Sequence, residues 1–322
     1  MRAVQVVNYD GPEALVINDI PEPTAGPDEV LIDVHRAGVA FPDLLLSRNM
    51  YQVKPEPPFT LSADYAGYVV EDGNGFKAGQ RVVGASSHGG AQERVAIKAS
   101  SVFPLPDAIS FEEATALPMN YLTAQFALVE RGELKEGETV MVNGAAGGVG
   151  TASIQVAKVY GARVIALVSN EEKAQVARDA GADEAILLDG FKDEAKRLTD
   201  GRGVDMIIDV VGGDIFTDML RSLAPQGRLM VVGFAGGQGI PEVKVNRLLL
   251  NNIDVRGVGW GAFAAITPGF QRQQWEDLMP HMASGKIKPP IGKVYAMEEF
   301  GQALIDMDNR KTLGKSVVRI KD

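Results

Sequence analysis

Cysteine is absent from the 322 residues, which excludes disulfides, thiolate nucleophiles and every Cys-ligated zinc or iron–sulfur site. Histidine is scarce: His35, His88 and His281 are too few for a His-rich metal centre, so no metal is expected. Positive charge is in deficit, with 32 Lys and Arg against 42 Asp and Glu and a formal net charge of −10. Such a surface repels phosphate backbones and anionic lipid, so neither nucleic acid nor a membrane is an expected partner. No apolar run approaches bilayer-spanning length. Met1–Tyr9 alternates like a strand and runs into Asp10-Gly11-Pro12, which is turn chemistry rather than a targeting signal. A cytoplasmic protein is the expectation.

What remains is an ordinary globular composition, 45% apolar and 23% charged, long enough for one large domain or two. The first hundred residues read as short strands between Gly/Pro/Asp clusters, among them Val30–Val34, Ala66–Glu71, Arg81–Val83 and Gln92–Ile97. Asp43 precedes a short helix, Leu44–Arg48, as its N-cap. Helical spacing follows at Phe111–Leu117 and Tyr121–Glu130, with Pro118 as the break between them. From Thr139 strands and helices alternate through Ile253–Val258, and the strands are continuous Val/Ile/Leu/Met runs. Strands covered on both faces need that composition, so the fold class is α/β with a doubly wound parallel sheet beside a β-rich domain. After about Gly259 the alternation stops. One helix, Phe300–Met307, and a terminal strand, Ser316–Ile320, complete the reading.

The segment Thr139–Val142 leads into Asn143-Gly144-Ala145-Ala146-Gly147-Gly148-Val149-Gly150 and then a helix. Side-chain-free positions at a strand-to-helix turn let backbone approach a dinucleotide diphosphate, while amide groups and the helix dipole attract its charge. A tight turn with no ligand is the plain alternative. Ala146, Gly147, Gly148 and Val149 are therefore candidate cofactor contacts. The adenosine ribose is read about 20 residues further on, where Ser169 and Asn170 end the second strand. An NAD-preferring site carries Asp or Glu there. Two small neutral residues leave room for a 2′-phosphate, and Lys173 can supply charge to it. The cofactor expected is NADPH, with NADH possible because Glu171 and Glu172 oppose the phosphate.

These features resemble the medium-chain dehydrogenase/reductase superfamily, in its zinc-free quinone oxidoreductase branch. The resemblance extends along nearly the whole chain, through Gly38–Asp43, Tyr51 with Pro57-Pro58-Phe59, Ala66–Val69, Gly79–Val82, Leu122-Thr123-Ala124, Ala145–Gly150, Asp209–Gly212 and Gly314-Lys315. It implies a discontinuous GroES-like catalytic domain, residues 1–117 and 259–322, around a Rossmann domain, 118–258. Zinc-dependent relatives place ligands at positions matching Ala40, Ala63-Asp64 and a site near Met119, and only Asp64 retains metal-binding chemistry.

Further roles follow from the same resemblance. Tyr51 is the candidate catalytic residue, orienting substrate or donating a proton; the alternative is a loop aromatic covering a cleft. Thr123 places a hydroxyl toward the nicotinamide. Gly233, Phe234, Ala235, Val258 and Gly259 line the nicotinamide, and Arg310 and Lys315 reach the cofactor phosphates. Ala40 and Leu45 replace polar residues common in quinone reductases. The implied activity is NADPH-dependent, zinc-independent hydride transfer to quinones or activated alkenes, in a homodimer. An enoyl-thioester reductase is the alternative, and a cofactor-binding structural (crystallin-like) or RNA-associated protein is the alternative of another class.

Overall fold

Alternating segments in the first hundred residues become antiparallel strands in a computed structural model that describes residues 1–322. They are β1 (Arg2–Val6), β2 (Val16–Asp19), β3 (Glu29–Val39), β4 (Phe59–Thr60), β5 (Asp64–Val69), β6 (Arg81–Ala85), β7 (Arg94–Lys98) and β8 (Val102–Pro104). Six more follow: β9 (Thr139–Asn143), β10 (Arg163–Val168), β11 (Glu184–Leu187), β12 (Val204–Asp209), β13 (Leu223–Val231) and β14 (Asp254–Gly257). The last two are β15 (Ile291–Ala296) and β16 (Lys315–Arg319). The chain divides into two units, one of residues 1–119, 269–284 and 289–322, the other of residues 120–268 and 285–288.

In the first unit β2-β1-β4 form one sheet and β15-β16-β3-β5-β6-β8 the other, with β7 also paired to β3. Long β3 is the hub, bonded to β16, β5 and β7 along its eleven residues. Val4, Ile32, Val34, Tyr65, Phe300 and Val318 fill the interior. The Tyr65 ring fits because Gly84 and Gly90 face it; a Cβ on either would lie 2.5 or 2.2 Å from the ring. Helix α1 spans Phe41–Ser47, so it starts before the expected Leu44. Pro42, whose fixed φ suits a first turn, opens it. Asp43 is thus inside the helix rather than its N-cap, and its Oδ2 accepts from the Ala40 amide at 2.9 Å.

The second unit is a six-stranded parallel sheet in the order β11-β10-β9-β12-β13-β14. Helices α2 (Gly148–Val159), α3 (Glu171–Asp179), α4 (Phe191–Arg197) and α5 (Phe216–Ser222) connect its strands. Met141, Ile165, Leu167, Ile207 and Leu229 make its core. Burial on both faces explains why these strands read as unbroken apolar runs. Pro118 does not interrupt a helix here. Leu117–Arg131 is continuous, with π turns at Leu117–Leu122 and Phe126–Arg131 around one α turn, Thr123–Gln125. Pro118 is second in that run, where a missing N–H costs nothing. Beyond residue 240 come α6 (Asn246–Asn251), α7 (Trp260–Ile266), α8 (Phe270–Ala283) and α9 (Phe300–Asp308), of which only α9 was expected. No helix is long and apolar enough to cross a membrane.

Candidate functional site

The residues following Asn143 form a cradle whose glycines do different work. Gly144 turns the chain at φ +76°, and a side chain there would strike Val210 and Val211. Gly150 lies so close to the loop that a Cβ would sit 2.2 Å from the Gly144 carbonyl oxygen. Gly147 differs: a Cβ there would meet only the Gly144 carbonyl oxygen, in ordinary contact at 3.6 Å, so the start of α2 is not crowded at this position. A turn, an approach surface and a packing contact are what a dinucleotide diphosphate needs at a helix N-terminus. The sequence-predicted Ala146, Gly147, Gly148 and Val149 are all here, with Ala146 buried and the other three half-buried.

β9 and β12 are adjacent, and the direction of winding reverses between them, which is where ligands bind doubly wound sheets. Asn143 and Asp209 face each other at that point. Asn143 Nδ2 donates to Asp209 Oδ1 at 2.9 Å, and the same oxygen accepts from the Val211 and Gly212 amides. Asp209 Oδ2 is buried without a partner, and burial pushes this carboxyl above the ordinary range. The pair was not singled out from sequence; its two members are 66 residues apart.

At the end of β10, Ser169 and Asn170 are exposed. Asn170 Oδ1 accepts from the Lys173 amide at 2.9 Å, so its side chain caps α3. Glu171 pairs with Arg178, which draws one of the two opposing carboxylates into an ion pair on its own helix. Gly233, Phe234 and Ala235 follow β13, and Val258 and Gly259 follow β14. All these candidates therefore share the carboxyl edge of one sheet. Thr123 lies buried in the α turn between the two π turns. Asn120, which the sequence reading passed over, is buried beside Gly148; the available signal was one amide in the apolar run Leu117–Leu122.

In the first unit Tyr51 is half-buried against the core. Burial, with Asp43 nearby, raises its phenol pKa, so the hydroxyl keeps its proton at neutral pH. Asp43 Oδ1 accepts from the Ser62 amide at 2.8 Å, and burial pushes this carboxyl up to about 7. Asp64 is spent on both sides: Oδ1 accepts from the Met119 amide, and Oδ2 pairs with Lys315 Nζ at 3.0 Å. Lys315, expected from the resemblance to reach a cofactor phosphate, is thus 3% exposed with its Nζ on a buried carboxylate. Arg310 is exposed at φ +57° after α9. His88 is half-buried, its ring edge-on to Phe59 and its Nδ1 2.8 Å from Ser87 Oγ.

Nowhere do three or more His, Asp or Glu side chains come together as a metal could require. At the position matching a zinc ligand an ammonium already neutralises Asp64, so these residues do not fit catalytic zinc.

The alcohol dehydrogenase GroES-like domain family matches residues 26–107, and the zinc-binding dehydrogenase family matches residues 148–284. Quinone oxidoreductase-like protein 2 of Bos taurus is 38% identical over 314 residues, covering 95% of this chain and 89% of its own. A probable oxidoreductase from Mycobacterium abscessus, solved by crystallography, is 41% identical with a TM-score of 0.90, over 99% of this chain and 98% of that one. The quinone oxidoreductase of Thermus thermophilus, solved also as its complex with NADPH, is 32% identical with a TM-score of 0.86, over 99% and 100%.

Proposed function

The chain belongs to the quinone oxidoreductase-like branch of the medium-chain dehydrogenase/reductase superfamily, and from that premise we propose that it is a metal-independent, NADPH-dependent reductase of quinones and activated alkenes. The observation that carries this reading is the glycine cradle at the head of α2, uncrowded at Gly147 and tightly packed at Gly144 and Gly150. Bound there, NADPH supplies the hydride of its nicotinamide C4.

The chain's own residues bind, orient and protonate. Amides at the start of α2 hold the diphosphate, and Ser169, Asn170 and Lys173 surround a 2′-phosphate. Backbone at Gly233–Ala235 and Val258-Gly259 supports the nicotinamide. Arg310 adds a phosphate contact, whereas Lys315 serves by fixing Asp64. Tyr51, protonated at neutral pH, donates to the oxygen or carbon that becomes basic as hydride arrives. Acceptors that are already electrophilic need no Lewis acid, which agrees with a zinc position taken by Lys315. A homodimer formed along the β14 edge completes the proposal.

The test is a panel of a benzoquinone, a naphthoquinone, an enone and a crotonyl thioester, each with NADPH and with NADH, before and after chelation. Quinone or enone turnover that prefers NADPH and survives chelation is expected. Turnover with the thioester alone would make the protein an enoyl-thioester reductase. No turnover at all, or activity lost to chelator and restored by zinc, would overturn the reading.

A further inference from the structure

Asn120 opens the second unit, in the π turn Leu117–Leu122. Such turns shift side chains off regular helical register and recur at functional sites. The residue is 5% exposed, and its carboxamide makes no hydrogen bond within the chain while still reaching solvent. A carboxamide with no bond to the chain and an accessible edge is free to pair with a group from outside it.

Its position identifies that partner. A Cβ on Gly148 would lie 2.6 Å from Asn120 Nδ2 and 3.2 Å from Oδ1, so the carboxamide fills the space the glycine leaves at the first residue of α2. No side chain caps this helix, which leaves its leading amides and positive dipole end available. An uncapped twelve-residue helix and a carboxamide with no partner in the chain meet at one residue. The first selects an anion, and the second supplies a neutral donor that adds no competing charge.

We propose that the Asn120 carboxamide donates a hydrogen bond to a diphosphate oxygen of the bound dinucleotide, a contact supplementing the glycine loop and acting on affinity rather than on the hydride step. This rests on the reading of the chain as a dinucleotide-dependent reductase. Aspartate at this position keeps the shape but faces the diphosphate with negative charge, so it separates an electrostatic contact from simple packing.

Calorimetric titration of the purified full chain with three probes tests the assignment: NADPH, 2′-phospho-ADP-ribose, which keeps the diphosphate but lacks nicotinamide, and 2′-AMP, which has neither. Asn120→Ala should weaken the first two alike, by about 10-fold, the scale of one hydrogen bond to a charged group. Asn120→Asp should weaken both by roughly 100-fold or more through the added repulsion. Affinity for 2′-AMP should hold for both variants, which also shows that the unit is folded. Should Ala lower the unfolding temperature, Asn120→Ser carries the same comparison. Loss confined to NADPH, loss extending equally to 2′-AMP, or no loss for Asp would overturn the proposal. A parent protein that binds none of the three would instead sink the cofactor reading beneath it.

Discussion

Lys315 Nζ lies 3.0 Å from Asp64 Oδ2, with the two side chains 3% and 1% exposed, though 251 residues separate them in sequence. Gly38 makes room: a Cβ there would lie 2.7 Å from Lys315 Cε. The pair ties the start of β16 to the start of β5 across β3, joining the two ends of the first unit. Two buried charges repay their desolvation only while both are present. Lys315→Met or Asp64→Asn should each cost about 3–5 kcal/mol of stability, and the double variant clearly less than their sum. Urea unfolding of the four proteins measures this. Losses below about 1 kcal/mol for both single variants would deny the pair a structural role.

Asp43 gives a pH dependence of definite sign. Its carboxyl is buried and pushed up to about 7, from the 3.8 of a free aspartate, so the folded protein holds the proton more tightly than the unfolded chain. Stability from this group is complete below about pH 4 and falls as pH rises toward 7, by about 1.4 kcal/mol for each unit of pH in that window. Subtracting the Asp43→Asn curve removes the other titrating groups. The difference between parent and variant should decline from pH 4 to 7 and then level. A flat difference would mean that the Ala40 and Ser62 amides hold an ordinary carboxylate.

The fold was legible wherever the pattern is local. Continuous apolar runs identified the parallel strands, and the small-residue turn after Asn143 located the cradle. Helices α7 and α8 escaped because breakers surround them: Gly259 and Gly261 sit at the start of α7, Gly269 with φ +84° precedes α8, and Pro280 lies inside it. Pro118 misled in the opposite direction, since a proline in a first turn opens a helix as readily as one ends before it. The buried polar pairs were illegible for another reason. Asp64 with Lys315, and Asn143 with Asp209, are set by topology, and nothing near either residue in sequence announces its partner.

Two glycines of the cradle predict opposite phenotypes. At Gly147 an added methyl would meet nothing nearer than 3.6 Å, and its φ of −85° suits any residue. Gly147→Ala should leave the unfolding temperature near that of the parent while weakening NADPH about 10-fold or more, because the methyl occupies the diphosphate's approach. At Gly150 the same methyl would lie 2.2 Å from the Gly144 carbonyl oxygen. Gly150→Ala should cost about 1–3 kcal/mol of stability or more. Equal destabilisation by both would leave the cradle as a packing motif.

Tyr51 distinguishes proton donation from shape. Its phenol is held protonated by burial and by Asp43. Tyr51→Phe should therefore lower kcat about 100-fold, as expected for loss of a general acid, with NADPH affinity changed less than about twofold. The parent's kcat should show no loss from phenol ionisation between about pH 6 and 9. Unchanged kcat in the variant would reduce the ring to a loop contact.

β14 ends the parallel sheet, so the outer row of its backbone groups pairs with no further strand. The preceding helix α6 buries none of its residues, and Leu249 and Leu250 are 76% and 73% exposed, with Val245 just ahead of it at 75%. An unpaired strand edge flanked by apolar side chains invites pairing with a like edge, and a two-fold axis through that edge would join two sheets into one. Sedimentation equilibrium at micromolar concentration should then give twice the 34.4 kDa chain mass. Leu249→Lys with Leu250→Lys would bring like charges face to face across the axis and should yield monomers. Neither side chain supports the core, so their unfolding should stay cooperative. A parent that sediments as a monomer, or a double variant that stays dimeric, would place the subunit contact elsewhere or remove it.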